Sequence, residues 1–451
     1  MNKKVLAIAL LCAGGIPFAL SAQNTETDDF EIVETEVMVC DSICHEPASV
    51  ILLMDSRQLF PRNNRMENPA NSRLMQQFYN IRRQFQDPRA PRFILIDRKG
   101  RAALGIGGYV KGTVSADFKG IAANRDFITY QIPTPNNSAE NGQFQMGAAT
   151  SRLFLSLVGS NRIMGEYVVY VESDFRGGSD GFLHLRQAYI DMHHIKAGMA
   201  WSTFSDPEAC PPTIDFQGPC GMVSERNVIL QYHQNLGKHW SFAIAAEDPT
   251  ITISTVANEN SYIRQRIPDF PMYVQYEWGQ KNSHVRASGI LRGLSYRNLI
   301  NESNRTVLGW GVQLSGLAHI TNRLVLYFDG VYGRGIADYI NDLGGNNFDL
   351  IPQVNTAGKL EAPENLGLTG GIQFNICPRM FASAAYSHCR LYGDGLSGTT
   401  YKYAQYVVGN VFYNLTKNCQ LGVEYLYGRR TNRNGEHGSA NRLNAMIQYN
   451  F

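Results

Sequence analysis

The stretch NRLNAMIQYNF (441–451) alternates. Leu443, Ala445, Ile447, Tyr449 and Phe451 fall on one face, and Arg442, Asn444, Gln448 and Asn450 on the other, with Met446 the exception. A period of two residues marks a β-strand with one apolar and one polar face. The pattern recurs upstream. Over 165–175, Tyr167, Val169, Val171 and Phe175 oppose Glu166, Glu172 and Asp174. Over 270–279, Val274, Tyr276 and Trp278 oppose Gln275 and Glu277; over 284–298, Val285, Ala287 and Leu291 oppose His284, Arg286, Ser288 and Arg292. Sixteen such segments can be laid out from about residue 104 to residue 451. Their boundaries are soft, and fourteen or eighteen strands also fit.

The connections alternate in length. Tight ones fall at 159–164, 192–194, 235–239, 280–283, 319–322, 377–379 and 414–418; long ones at 119–142, 205–225, 249–269, 336–365 and 428–440. Short turns at one end and long loops at the other, with an even strand count, describe a 16-stranded antiparallel transmembrane β-barrel, an all-β fold. Arg or Lys facing lipid at mid-bilayer is destabilising by roughly 2–4 kcal/mol. The charged face is therefore expected to line the interior. It supplies Arg152, Arg186, Arg286, Arg292, Arg390, His184 and His388, with Glu166, Glu172, Glu277 and Asp329 as facing acids. A barrel of this size leaves an aqueous lumen that wall side chains do not fill.

The ends change the picture in one respect. Residues 1–22 carry Lys3 and Lys4, an apolar run and Ala22, and read as a signal peptide. Removing it takes two of 41 basic residues and none of 39 acidic ones, so the mature chain is formally neutral. Nothing in the charge suggests a nucleic-acid partner. No later run of eighteen apolar residues offers a membrane helix. The 23 Tyr and 42 Gly suit strands and turns instead.

Residues 23–100 form a separate N-terminal extension. An acidic tract (Glu26 to Glu36) is followed by a polar, Arg-rich stretch. Leu74, Phe78, Ile81 and Phe85 then mark a helix over about 72–87, capped near Asn71 or Ser72 and stopped by Pro88. Its narrow apolar seam suits either a short coiled coil between subunits or packing on the barrel base. Residues 93–100 read as a small strand and turn entering the barrel.

Seven cysteines remain after the signal, in an oxidising compartment. Cys210 and Cys220 lie in a proline-rich loop, and a disulfide between them is expected; no pairing is assigned to Cys40, Cys44, Cys377, Cys389 or Cys419. CDSICH (40–45) is one residue too long for haem attachment, and NDLGGNNFD (341–349) lacks the final Glu of an EF-hand. No cofactor or metal is expected. No nucleophile elbow or HExxH pattern is present, and no enzymatic activity is expected.

GIGGYVKGTVSADF (105–118), SRLFLSL (151–157), GEYVVYVESDF (165–175) and LRQAYIDMHHIKAGMAWSTFSDPEACPPTIDFQGPCG (185–221) resemble the DcaP-type porins. The resemblance implies a trimeric outer-membrane channel of sixteen strands, an N-terminal extension in the periplasm, and a third extracellular loop that folds inward and narrows the pore. That loop corresponds to 205–225 and carries Asp206, Glu208, Asp215 and Glu225. It also implies small anionic solutes, dicarboxylates among them. The loop acids keep a general or cation-preferring porin open, and a structural or surface-binding barrel plugged by its N-terminal segment is the rival reading. Expected partners are outer-membrane lipid and lipopolysaccharide, small solutes, further copies in a homotrimer, and the barrel assembly machinery reading Phe451.

Overall fold

The computed structural model describes residues 101–451 except 123–124, 179–180 and 280–281, together with 54–55, 74, 76–78, 81 and 84–97. The expected signal peptide, the acidic tract, Cys40 and Cys44 lie outside the described residues.

Sixteen antiparallel strands form one closed sheet. They are β1 (Ala102–Lys119), β2 in two pieces (Gln143–Gly147 and Arg152–Asn161), β3 (Gly165–Gly177), β4 (Phe182–Met192) and β5 (Ile195–Trp201). Then come β6 (Arg226–Leu236), β7 (Trp240–Glu247), β8 (Phe270–Trp278), β9 (Ser283–Asn298), β10 (Ser303–His319) and β11 (Leu324–Arg334). The last are β12 (Glu364–Cys377), β13 (Met380–Leu391), β14 (Tyr401–Asn414), β15 (Cys419–Asn432) and β16 (His437–Asn450). All sixteen expected segments are strands. The connection expected at 428–440 is shorter, because β15 and β16 continue as a hairpin joined by 433–436.

Closure is between β16 and β1, where Asn450 stands opposite Tyr109 and Arg442 opposite Asp117. The Arg442 guanidinium grips the Asp117 carboxylate with two hydrogen bonds of 2.6 and 2.8 Å, a planar fork that tolerates little misregister. Beyond the end of β16, Phe93–Ile96 pairs with the same edge of β1.

Alternation sorts the side chains. Val110, Leu153, Val171, Leu230, Val274, Leu314, Ile372, Val423 and Ile447 are exposed on the outside, as an outer surface solvated by lipid requires. Polar residues face inward and are nevertheless buried, because chain fills the interior. The largest apolar cluster joins Phe127 and Ile132, Phe204 and Val223, and Ile336 to Phe348 to the inward residues Ala385, Cys389, Tyr401, Tyr406 and Leu426. Three long loops thus pack inside the barrel and share one core.

The extension packs on this frame. Leu74 and Gln76–Phe78 are helical, while 84–90 is irregular, so the helix does not run to residue 87. Leu74 and Phe78 bury against Ile94, Ile96, Ala103 and Val158 at the base. Phe85 goes elsewhere, into an aromatic cluster with the inward-facing Phe381 and Phe412.

Candidate functional site

The loop after β5 crosses the barrel interior and is hydrogen-bonded to wall strands around its circumference. It starts on β7, where Glu247 accepts from Ser202 Oγ and the Thr203 N–H. Asp206 then reaches β9 and β10: His284 Nε2 lies 2.8 Å from its carboxylate, and Ser315 Oγ donates at 2.7 Å. Arg286 donates to the Ser205 carbonyl and stands 3.7 Å from Asp206. On the far wall, Ser383 and Asn410 donate to the Pro212 carbonyl. The N–H groups of Ile214 and Asp215 donate to Glu424 at 2.7 and 2.8 Å. Lys111 Nζ closes the circuit on the Ile214 carbonyl at 2.9 Å. The backbone at 221 passes so close to β12 and β13 that a Cβ there would collide with the backbone of Leu368 and His388, so glycine is required.

Two further segments meet the loop. From the long-loop end, Asn341 donates to the Gln217 and Pro219 carbonyls. From the base, Gln86 donates to Thr213 Oγ1 and the Asp215 carbonyl, and Asp87 stands 2.9 Å from Arg152. Between these segments lies a cavity of about 280 Å³. Its polar lining includes Arg186, Trp201 and Arg226 from the wall, Glu225 from the loop, Asp338 from loop 336–363, and Gln84 and Gln86 from the base. Phe216 presents its ring to Arg176 at 3.9 Å and to Arg186 at 5.1 Å.

The inward arginines divide into two kinds. Arg152, Arg286 and Arg292 tie chain to chain. Arg152 is fully buried between Asp87 and Glu172. Arg292 pairs with Asp269 and Asp349 at 2.9 and 3.0 Å and also donates to the Thr250 and Gly335 carbonyls. Arg186, held by Glu172 at 3.1 Å and Asp174 at 2.9 Å, is the expected arginine that also lines the cavity. His184 joins the same group, 3.1 Å from Asp174. Glu277 accepts from Gln275, and Asp329 from Gln313. Glu166 shares the inward face of β3 at the short-turn rim. Glu208 stands 3.8 Å from His284.

Three expectations are corrected. His388 and Arg390 do not face the interior. Between Phe381 and Leu391 the inward positions of β13 are Ser383, Ala385, Ser387 and Cys389, small residues on which the loop lies, and the intervening long side chains Tyr386, His388 and Arg390 point outward. Cys210 and Cys220 are free thiols. Cys220 Sγ is turned to the wall, 3.5 Å from Ser387 Oγ, while Cys210 Sγ faces the Pro211 carbonyl. Residues missed from sequence are Arg226, Arg176, Trp201 and Asp338. Arg226 carried a signal, since it opens a strand directly after a loop acid.

Burial sets the loop carboxyls apart. For Asp206 burial alone would raise the pKa, but the Arg286 charge and hydrogen bonds from His284 and Ser315 outweigh it and hold the carboxyl well below the usual range. Burial, reinforced by Glu424 and Asp126, pushes Asp215 up to about 7. Burial and the Asp338 charge push Glu225 up to about 7, against the opposing charge of Arg226.

A family model described as DcaP outer membrane protein matches residues 99–348. The crystal structure of the outer membrane channel DcaP of Acinetobacter baumannii matches with a TM-score of 0.68 at 22% identity, over 78% of this chain and 98% of that one. In-vitro folded OmpT of Vibrio cholerae matches at 0.49 and 12% identity, over 78% and 98% of the two chains. Salmonella typhi OmpF in complex with daunomycin matches at 0.49 and 13%, over 77% and 98%. No curated protein sequence matches the chain.

Proposed function

The chain belongs to the DcaP outer membrane protein family, and from that premise we propose that it is a passive channel for small hydrophilic anions, of the dicarboxylate kind. The observation that carries this reading is the interior cavity with Arg186 and Arg226 on one wall. Guanidinium groups in a narrow polar slot attract anions more strongly than the same groups in bulk water, because the surrounding walls screen poorly. The loop 202–225 narrows the lumen, and its anchoring to the walls keeps the passage of fixed width. The channel works as a homotrimer with its extension in the periplasm. Phe451 is the residue read by the assembly machinery, and lipopolysaccharide surrounds the outer half.

Purified protein in planar bilayers tests this. Steady ion-conducting steps are expected, with a zero-current potential in a KCl gradient of the sign that chloride passage gives. No conductance would favour a plugged structural barrel, a reading suggested by residues 84–90 in the periplasmic mouth. The opposite potential would favour a cation-preferring porin, which Glu225 and Asp338 suggest.

A pH dependence follows from Glu225. Its carboxyl titrates near 7, so it is largely neutral at pH 5.5 and ionised at pH 8.5. Anion preference should therefore fall as pH rises across that window. Glu225→Gln should flatten the profile at its low-pH level; a variant that keeps the wild-type slope would show that another group is responsible.

A further inference from the structure

Arg390 and His388 look outward from the long-loop end of β13, and so does Arg429 from β15. Register places them on neighbouring rungs. His388 stands opposite Gln405, Gln405 opposite Arg429, and Arg390 opposite Tyr403. With strands about 4.8 Å apart, the three side chains span roughly 10 Å of outer wall. A tyrosine belt lies below them on the same face: Tyr386 accepts from Gln405, and Tyr425 accepts from Asn441. Such belts mark the level where hydrocarbon gives way to headgroups.

The inward arginines Arg152, Arg186, Arg286, Arg292 and Arg442 each stand within ion-pairing distance of a carboxylate. Arg390 and Arg429 have no such partner among the described residues. The Nε atoms of both arginines and Nδ1 of His388 are buried without a hydrogen-bond partner. The nearby acids are engaged elsewhere: Glu364 accepts from Tyr332, and Asp394 attracts Arg433 in the next hairpin. Two arginines without a carboxylate partner, one of them stacked on the Tyr392 ring, stand beside a membrane surface and lack an anion.

From this juxtaposition we propose that Arg390, Arg429 and His388 form a binding site for the phosphates of a glycolipid in the outer leaflet, of the lipid A type. Phosphate oxygens suit the planar donor fork of arginine, and the acyl chains would lie on the apolar wall below the tyrosines. The inference rests on the outer-membrane placement of the family and not on the channel reading.

The test is native mass spectrometry of the full-length protein in detergent with added bisphosphorylated lipid A. An Arg390→Gln, Arg429→Gln double variant is expected to bind it roughly thirtyfold more weakly, from two lost surface arginines. Wild-type protein should show a comparable loss with lipid A stripped of its phosphates. Wild-type affinity in the double variant, or equal binding of the dephosphorylated lipid, would overturn the proposal. Neither substituted side chain touches the interior, so conductance recorded on the same samples should match wild type and keeps this result separate from the channel reading. Heat-modifiable migration on gels confirms that the variant barrel is folded.

Discussion

Replacing Arg186 and Arg226 together with serine is expected to reverse the sign of the zero-current potential in a KCl gradient. Arg152, Arg286 and Arg292 are paired with buried carboxylates away from the cavity and do not line it. Arg186 and Arg226 are the arginines that line it. Removing Arg186 also strips a partner from Glu172 and Asp174, so an inward positive charge is exchanged for carboxylates less well compensated. A unit charge some 5 Å from a passing ion is worth about 1 kcal/mol in a wet lumen, so two lost cations and the uncovered acids shift the anion-to-cation permeability ratio by tenfold or more. A potential of unchanged sign would mean that selectivity is set outside this cavity. Arg390→Ser serves as the control and should leave the potential alone.

Asp206→Ala is expected to unseat the loop while leaving the barrel folded. The carboxylate holds the loop to β9 and β10 through His284, Ser315 and Arg286, and it is fully buried. Breaking a buried ion pair from one side is destabilising by about 3–5 kcal/mol, because the partner charge is left behind. The expected signs are larger open-channel current noise and protease cleavage within 202–225, with heat-modifiable migration unchanged. The depressed pKa of Asp206 fixes the sign of its pH dependence. Its stabilising contribution is present above the unfolded carboxyl pKa and is lost only as pH falls through the lower folded value. The wild-type loop should therefore stay seated at pH 5, and a noisy wild-type channel there would count against the clamp.

The strands were legible because lipid on one side and polar chain on the other impose a period of two along Val285–Arg286–Ala287 or Val423–Glu424–Tyr425. Inward arginines on β2, β4 and β9 followed from the same rule. It failed on β13, where FASAAYSHCRL pairs small residues with polar ones and neither face declares itself apolar. There the loop backbone at Gly221 decides, since it needs small neighbours. The course of the loops through the interior was not legible either. Their contacts join residues far apart in sequence, such as Gln86 with Thr213, and no local pattern encodes them. The same limit applies to Cys210 and Cys220, close in sequence but turned to different surroundings.

The clamp between Glu424 and the N–H groups of Ile214 and Asp215 spans 210 and 209 residues of chain. Its wall half belongs to β15, next to the seam where Arg442 meets Asp117. Contacts of such long range are the slowest to form. The loop therefore has no complete seat until the last strands are in place. The wall's own seam joins residues 325 apart, a longer reach still, so the seating of the loop and the closing of the wall belong to the same late stage of assembly.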